Sequence, residues 1–143
     1  MNEYTKYRLE TADERVEVSK FLLDGGHFRD SINRSYYAIF SAVRALLSER
    51  GVDFKKHSAV IGYFRREYIK TGIFDVKYSD YIGGAFEFRN DCDYEDFVFA
   101  TRAEAEVQYQ HAVEFVAAVK TYLEEAQNVC EDTSSDKLPA ADD

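Results

Sequence analysis

The sequence predicts an all-α protein, built as an antiparallel bundle of four long helices with one additional short helix. Proline gives the first indication, because the 143 residues contain one proline, Pro139, and proline interrupts helices. Composition gives the second, since 45% of the residues are hydrophobic and good helix formers such as Ala, Leu, Glu and Arg are frequent. Spacing gives the third: apolar residues recur every three to four positions in segments joined by short links, which is typical of a helical bundle.

Glycines and loops divide the chain into five predicted helices, at about residues 4–23, 28–50, 55–70, 77–94 and 101–127. The first ends at Asp24-Gly25-Gly26, because glycine tolerates the left-handed conformation that closes a helix. Thr101 and Glu104 have the capping-box spacing at the start of the last helix. We expect one domain over residues 1–127 and an acidic, disordered tail over residues 128–143.

The composition also restricts where the protein acts. The N-terminal residues are polar and predict no signal peptide, and no apolar run approaches the roughly 20 residues of a membrane span. Two cysteines, Cys92 and Cys130, do not make a disulfide framework. We therefore expect a soluble, cytoplasmic protein.

The net charge of −9 is unevenly distributed. Residues 29–77 carry ten Lys and Arg against five Asp and Glu, whereas residues 78–143 carry four against sixteen. The middle third is thus the part of the chain that favours a polyanion. The opposite charges also suit self-association, and solvated helix faces with an acidic tail are the plain alternative.

Arg89 is the most informative charged residue. At about 100° per residue, it falls in the centre of an apolar helical arc formed by Tyr81, Ile82, Ala85, Phe86, Phe88 and Cys92. A buried unpaired guanidinium is very costly, so Arg89 requires a partner. Asp93, one turn later, is the expected carboxylate. Either this is an intrahelical ion pair, or Arg89 opens onto a ligand groove lined by Tyr37, Asn33 and Tyr94.

A basic patch lies at the start of the third predicted helix, at Lys55-Lys56-His57, with Arg65-Arg66 further along. It is either a phosphate-binding surface or an ordinary solvated helix start. The three histidines lack metal-ligand spacing, neither cysteine belongs to a Cys-x-x-Cys pair, and no phosphate-binding glycine loop is present. We predict no metal and no cofactor, and we interpret Cys92 as a small core residue.

Five motifs occur in an order that resembles the HEPN domain family (higher eukaryotes and prokaryotes nucleotide-binding), and most closely its small stand-alone prokaryotic branch. They are Arg34-Ser35-Tyr36-Tyr37-Ala38-Ile39-Phe40, Arg44-Ala45-Leu46-Leu47, Lys55-x-His57-Ser58, Lys70-Thr71-Gly72 and Arg89-x-x-x-Asp93-Tyr94. The resemblance covers about residues 5–125. It implies a four-helix bundle with an extra short helix, usually dimeric, and a family in which many members are ribonuclease toxins paired with a small nucleotidyltransferase antitoxin.

The family signature is an arginine and a later histidine with four to six residues between them, which here would place the histidine at positions 94–96. The resemblance implies that the arginine holds phosphate and that the histidine serves acid–base chemistry on the ribose 2′-hydroxyl without a metal. Arg89 matches the arginine, but Asp93-Tyr94 stands near the place of the histidine. His57 is the imidazole that could approach from the third helix, although nothing in the sequence positions it there.

We therefore predict a nucleotide- or RNA-associated binding module that works with a nucleotidyltransferase partner, as in a toxin–antitoxin system. We expect a homodimer whose interface includes the helix that carries Arg89. The alternatives are a metal-independent ribonuclease toxin, or a structural or protein-interaction module. The predicted catalytic residues are Arg89, Asp93 and Tyr94, and the predicted ligand-binding residues are Asn33, Tyr37, Lys55 and His57.

Overall fold

The computed structural model describes the backbone of residues 1–94 and 99–136, and the side chains within residues 1–91 and 99–128. These ranges contain five α-helices and no strand: α1 Glu3–Asp24, α2 Phe28–Glu49, α3 His57–Phe64, α4 Val76–Tyr94 and α5 Arg102–Asp136. A π-helical segment, Arg65–Ile69, continues α3. Four helices have 19 to 35 residues and α3 has eight, which confirms the predicted all-α bundle of four long helices and a short one.

Contacts between helix ends show that neighbouring helices are antiparallel. At the start of α1, Asn2 Nδ2 donates to the carbonyl of Ser48, at the end of α2, over 3.0 Å. The amino group of Met1 donates to Gln127 Oε1 of α5 over 2.8 Å. Helix α1 is therefore antiparallel to both α2 and α5.

Helix α2 is the centre of the bundle and contacts each of the other helices. Its core residues from Tyr36 to Leu47 are almost completely buried, and they pack on Phe64 and Phe115 from α3 and α5. Burial of such side chains contributes about 1.5–3 kcal/mol each. The core thus fixes the face of α2 that carries Tyr36.

Two predicted helix ends are confirmed. Helix α1 ends at Asp24, and Gly26 has a φ of 82°, which is the left-handed region where glycine is favoured. At the start of α5, the backbone N–H of Thr101 donates to Glu104 Oε1 at 2.9 Å, and the N–H of Glu104 donates to Thr101 Oγ1 at 3.2 Å. These reciprocal bonds form the predicted capping box.

Two other predicted ends differ from the structure. The third helix begins at His57, two residues after Lys55. Helix α5 continues to Asp136 and not only to Gln127, because neither glycine nor proline occurs between Gly84 and Pro139 to stop it. Residues 137–143 lie outside the described ranges, and the predicted division into a domain and a disordered tail stays a prediction.

Within the described ranges, none of the helices combines the length and the apolar character that crossing a bilayer requires. The predicted cytoplasmic location stays a prediction.

Candidate functional site

Helices α2 and α4 bring Arg89 against a pair of tyrosines. Arg89 is half-buried, as predicted, and its Nη2 donates to Tyr37 Oη over 2.9 Å. Its Nη1 donates to Asn90 Oδ1 over 3.1 Å. The guanidinium carbon lies 5.4 Å from the centre of the Tyr37 ring and 5.8 Å from that of Tyr36, where cation–π attraction is effective. Two aromatic side chains of α2 thus position the guanidinium.

His57 joins the same tyrosine pair from α3. Its Nδ1 lies 2.8 Å from Tyr36 Oη, and its ring stacks on Phe40 with a centroid distance of 4.1 Å. The imidazole ring is also 6.0 Å from the Tyr37 ring, centre to centre. We term Arg89, Tyr36, Tyr37 and His57 the Arg89 cluster.

Two members of the cluster, Tyr36 and His57, are uncharged at neutral pH. Burial, as the largest cause, raises the pKa of Tyr36 well above its usual range. Burial also lowers the pKa of His57, and the positive charges of Arg89 and Arg44 lower it further. A neutral imidazole can accept a proton or a hydrogen bond from a ligand, while Arg89 offers the positive charge and the forked donors that suit phosphate.

Fewer contacts are described for the remaining predicted site residues. Asn33 is half-buried and lies one helical turn before Tyr37. Lys55 is exposed in the bend before α3, and the structure does not bring it into contact with the Arg89 cluster. The α4 backbone runs through Asp93 and Tyr94, but their side chains lie outside the described part of the chain. The expected pairing of Arg89 with Asp93 therefore stays a prediction.

Of the further arginines near the cluster, Arg8 and Arg15 were not singled out from the sequence, whereas Arg44 belongs to one of the five motifs. The guanidinium of Arg15 on α1 lies 5.9 Å from the centre of the Tyr37 ring. Arg44 Nη2 and Arg8 Nη2 contact Asp53 Oδ2 at 3.1 and 3.4 Å. A signal was available, because Arg8 and Arg15 are seven residues apart and so share one face of a helix.

An open groove borders the cluster between α3 and α4. Its volume is about 360 Å³, and its walls include Arg65, Gly83 and Phe86. The Phe86 ring lies 5.9 Å from the Tyr36 ring. A Cβ at residue 83 would lie 2.6 Å from Arg65 Nη2, so glycine allows Arg65 to lie across α4.

A second pocket, of about 610 Å³, lies between α1 and α5 and has Lys20, Arg102 and His111 in its walls. It contains none of the predicted site residues. In the described ranges, no three His, Cys, Asp or Glu residues are grouped so as to hold a metal ion.

Comparison with known proteins identifies the class of this bundle. The model of the HEPN domain family matches residues 5–129. These include all five helices except the first two residues of α1 and the last seven residues of α5. The chain therefore belongs to the HEPN domain family. This agrees with the resemblance of the motifs around Tyr36, Tyr37 and Arg89.

Particular relatives cover most of the chain. A Methanocaldococcus jannaschii protein named "Putative toxin MJ0142" is 33% identical over 115 residues, which are 80% of this chain and 78% of that protein. A Thermotoga maritima protein named "UPF0332 protein" is 31% identical over 135 residues, 92% of this chain and 97% of its own length. A second M. jannaschii protein, "Putative toxin MJ0605", is 32% identical over 117 residues, 82% of this chain and 87% of its own.

Proposed function

We propose that this chain is a toxin-like HEPN module that binds the phosphate of RNA or of a nucleotide at the Arg89 cluster. The observation that carries the proposal is the contact of Arg89 Nη2 with Tyr37 Oη at 2.9 Å, beside the half-buried imidazole of His57. A permanently charged fork, a phenol and a neutral imidazole together match the acceptors of a phosphate. The relatives named as toxins support the toxin-like character.

Binding of labelled RNA by purified protein tests this proposal. Arg89→Ala removes the charged fork, and we expect affinity to fall at least about tenfold, as for other charge-assisted contacts. Arg66→Ala is the matched control, because Arg66 is an exposed arginine whose Nε pairs with Glu67 at 3.1 Å. Circular dichroism checks that both variants keep their helices. Equal affinities of the two variants would contradict the proposal.

A second candidate function, a metal-independent ribonuclease, is favoured by the position of His57. If Nδ1 donates to Tyr36 Oη, Nε2 carries the lone pair and can take the proton of a ribose 2′-hydroxyl. The 2′-oxygen then attacks phosphorus, the bond from phosphorus to the 5′-oxygen breaks, and that oxygen takes up a proton from water, while the proton on Nε2 returns to the solvent. The products are a 2′,3′-cyclic phosphate and a 5′-hydroxyl, and Arg89 stabilises the charge on the phosphoryl oxygens. Asp93 and Tyr94 stay predicted catalytic residues.

Incubation of RNA with the protein in EDTA tests the ribonuclease. We expect His57→Ala to slow cleavage about 10²–10⁴-fold, since a general base contributes that much to the rate, and this loss to be much larger than the loss of RNA affinity in the same variant. His27→Ala is the matched control, because His27 is exposed at the N-cap of α2 and makes no side-chain capping bond there. An unchanged cleavage rate in His57→Ala would exclude His57 as the base.

We also propose a homodimer and a nucleotidyltransferase-type protein partner in a toxin–antitoxin pair. Phe86 and Phe88 of α4 are half-buried in the isolated chain, so the helix that carries Arg89 offers apolar surface to a second copy. Light scattering at micromolar concentration tests the dimer, and a clean monomer of 16.5 kDa would contradict it. Co-purification with the product of the neighbouring reading frame tests the partner.

A further inference from the structure

A row of arginines runs along the α1–α2 hairpin and ends at the Arg89 cluster. It consists of Arg8, Arg15, Arg44 and Arg89, and we term it the arginine track. Arg8 Nη1 lies 3.5 Å from the carbonyl oxygen of Arg44, and the Arg15 guanidinium lies 5.9 Å from the centre of the Tyr37 ring. Because α1 and α2 are antiparallel, the track follows the seam between them. Arg89 reaches its Tyr37 end from α4.

The length of the track exceeds that of one phosphate. Arg8 and Arg15 are seven residues apart on α1, as are Tyr37 and Arg44 on α2, which corresponds to about 10 Å. Successive phosphates of a helical strand advance by only about 3.4 Å each. The track is therefore long enough for two or more phosphates of one strand.

Arg15 itself makes no described contact with an acidic side chain, although α1 carries six Asp and Glu residues. The positions three and four residues away on either side are Thr11, Ala12, Val18 and Ser19. Among the described residues, Arg15 Nε and Arg44 Nε are buried without a hydrogen-bond partner. Buried donors of this kind are costly, and a polyanion that approaches the guanidinium groups offsets part of that cost. Asp53 neutralises charge only at the Arg8 and Arg44 end.

We propose that the arginine track binds successive phosphates of a single-stranded polynucleotide, with Arg15 as a second phosphate subsite beside Arg89. This inference rests on the proposed function, since the Arg89 cluster supplies the first subsite. The guanidinium carbons of Arg15 and Arg89 lie 5.9 and 5.4 Å from the centre of the same Tyr37 ring, so the two subsites are neighbours. The four arginines are half-buried, and the net charge of −9 opposes broad adsorption to anionic surfaces.

Fluorescence anisotropy with a single strand of about twelve nucleotides tests the track. The strand carries 2′-O-methyl groups, so that attack by a 2′-hydroxyl cannot destroy it. Arg15→Gln is expected to weaken strand binding about five- to tenfold and to lower the slope of log affinity against log salt by about 0.7. Competition by AMP, which has one phosphate, is expected to change by less than about twofold. Arg66→Gln is the matched control.

Asp53→Asn gives a second, independent test. Removal of this carboxylate frees Arg8 and Arg44 for phosphate, and we expect the strand to bind about threefold more tightly. Asp53 is half-exposed, with 49% of its side-chain surface accessible, so the variant keeps its fold. A DNA strand of the same sequence shows whether the 2′ position contributes, because both strands share the phosphates.

The possible results separate this inference from the proposed function. Strand binding that weakens in Arg15→Gln and strengthens in Asp53→Asn supports the track. If Arg15→Gln matches Arg66→Gln while Arg89→Ala still loses affinity, the track is overturned and the phosphate site at Arg89 stands. If the wild type binds neither strand nor AMP, both proposals fail. Competition by polyglutamate as effective as that of the strand would overturn the polynucleotide in favour of an acidic protein.

Discussion

Two polar clusters on α2 differ in their charge and in how deeply they are buried. Near the start of the helix, Ser31 and Ser35 are fully buried, and Ser19 Oγ of α1 lies 2.6 Å from Ser35 Oγ and 3.0 Å from Ser31 Oγ. Ser31 Oγ also donates to the carbonyl of Ser19. This serine network is small, uncharged and closed, so its hydrogen bonds only hold α1 against α2.

The Arg89 cluster lies further along the same helix and has the opposite character. It is charged and only half-buried, and Arg15 and Arg44 add positive charge around it. A protein does not gain stability by collecting like charges. We therefore assign the serine network to the fold, whereas the Arg89 cluster is the one that we propose binds a ligand.

The largest expected effect on stability is in the serine network. Ser19→Val removes the central hydroxyl, leaves those of Ser31 and Ser35 with fewer partners and adds bulk between two packed helices. We expect unfolding free energy to fall by about 3 kcal/mol, with RNA affinity of the folded protein unchanged. Urea denaturation measures the loss. A loss smaller than that of Tyr36→Phe would contradict the contrast between the two clusters.

Tyr36→Phe tests how much one hydrogen bond of the Arg89 cluster contributes to stability. It removes the hydroxyl at 2.8 Å from His57 Nδ1, and we expect a loss of about 1 kcal/mol in unfolding free energy. The same variant shifts the imidazole tautomer, because Tyr36 no longer fixes Nδ1. Nitrogen NMR of His57 measures this shift. Identical imidazole spectra in variant and wild type would show that the hydrogen bond does not hold the ring.

Tyr37→Phe separates binding from folding. The phenol Oη accepts from Arg89 Nη2 at a half-buried, partly wet position, so its loss is expected to cost less than about 0.5 kcal/mol in stability. RNA affinity is expected to fall about threefold, because Arg89 loses a group that orients it. Parallel denaturation and anisotropy titrations check this. A variant that loses stability but keeps its affinity would place Tyr37 with the structural residues.

The pH dependence from His57 is expected to be the smallest effect, because the ring is half-exposed. Folding lowers the pKa of His57 from its ordinary value of 6.5, so the unfolded chain binds a proton at a pH where the folded chain does not. The stabilising contribution is therefore complete above pH 6.5 and is lost as the pH falls below it. Melts between neutral and mildly acidic pH should show a smaller acid loss in His57→Gln than in the wild type.

Much of the bundle could be predicted from the sequence because its signals are local. The capping box at Thr101 and Glu104 and the left-handed Gly26 each depend on a few neighbouring residues. The half-burial of Arg89 also followed from the periodicity of one helix. The end of α5 was placed too early at Gln127, because a polar composition was given more weight than the absence of glycine and proline.

The site could be predicted only in part because it is made by contacts between helices. Tyr37 and Arg89 were both named, but nothing in the chain showed that His57 would lie against Tyr36 from α3. Arg15 was missed for the same reason, since its importance depends on the α1–α2 register. The absence of the signature histidine after Arg89 in the sequence therefore does not show which imidazole lies in the cluster.

The most direct test of the central claim is the melting of wild type and Arg89→Ala with and without the single strand. If the Arg89 cluster serves a ligand, Arg89→Ala costs only about 1 kcal/mol, because Arg89 is only half-buried. A strand at about 100 times its Kd then stabilises the wild type by about 2.7 kcal/mol and leaves the variant unchanged. A loss of about 3 kcal/mol in Arg89→Ala, with no strand effect on the wild type, would contradict the account and assign Arg89 to the fold alone.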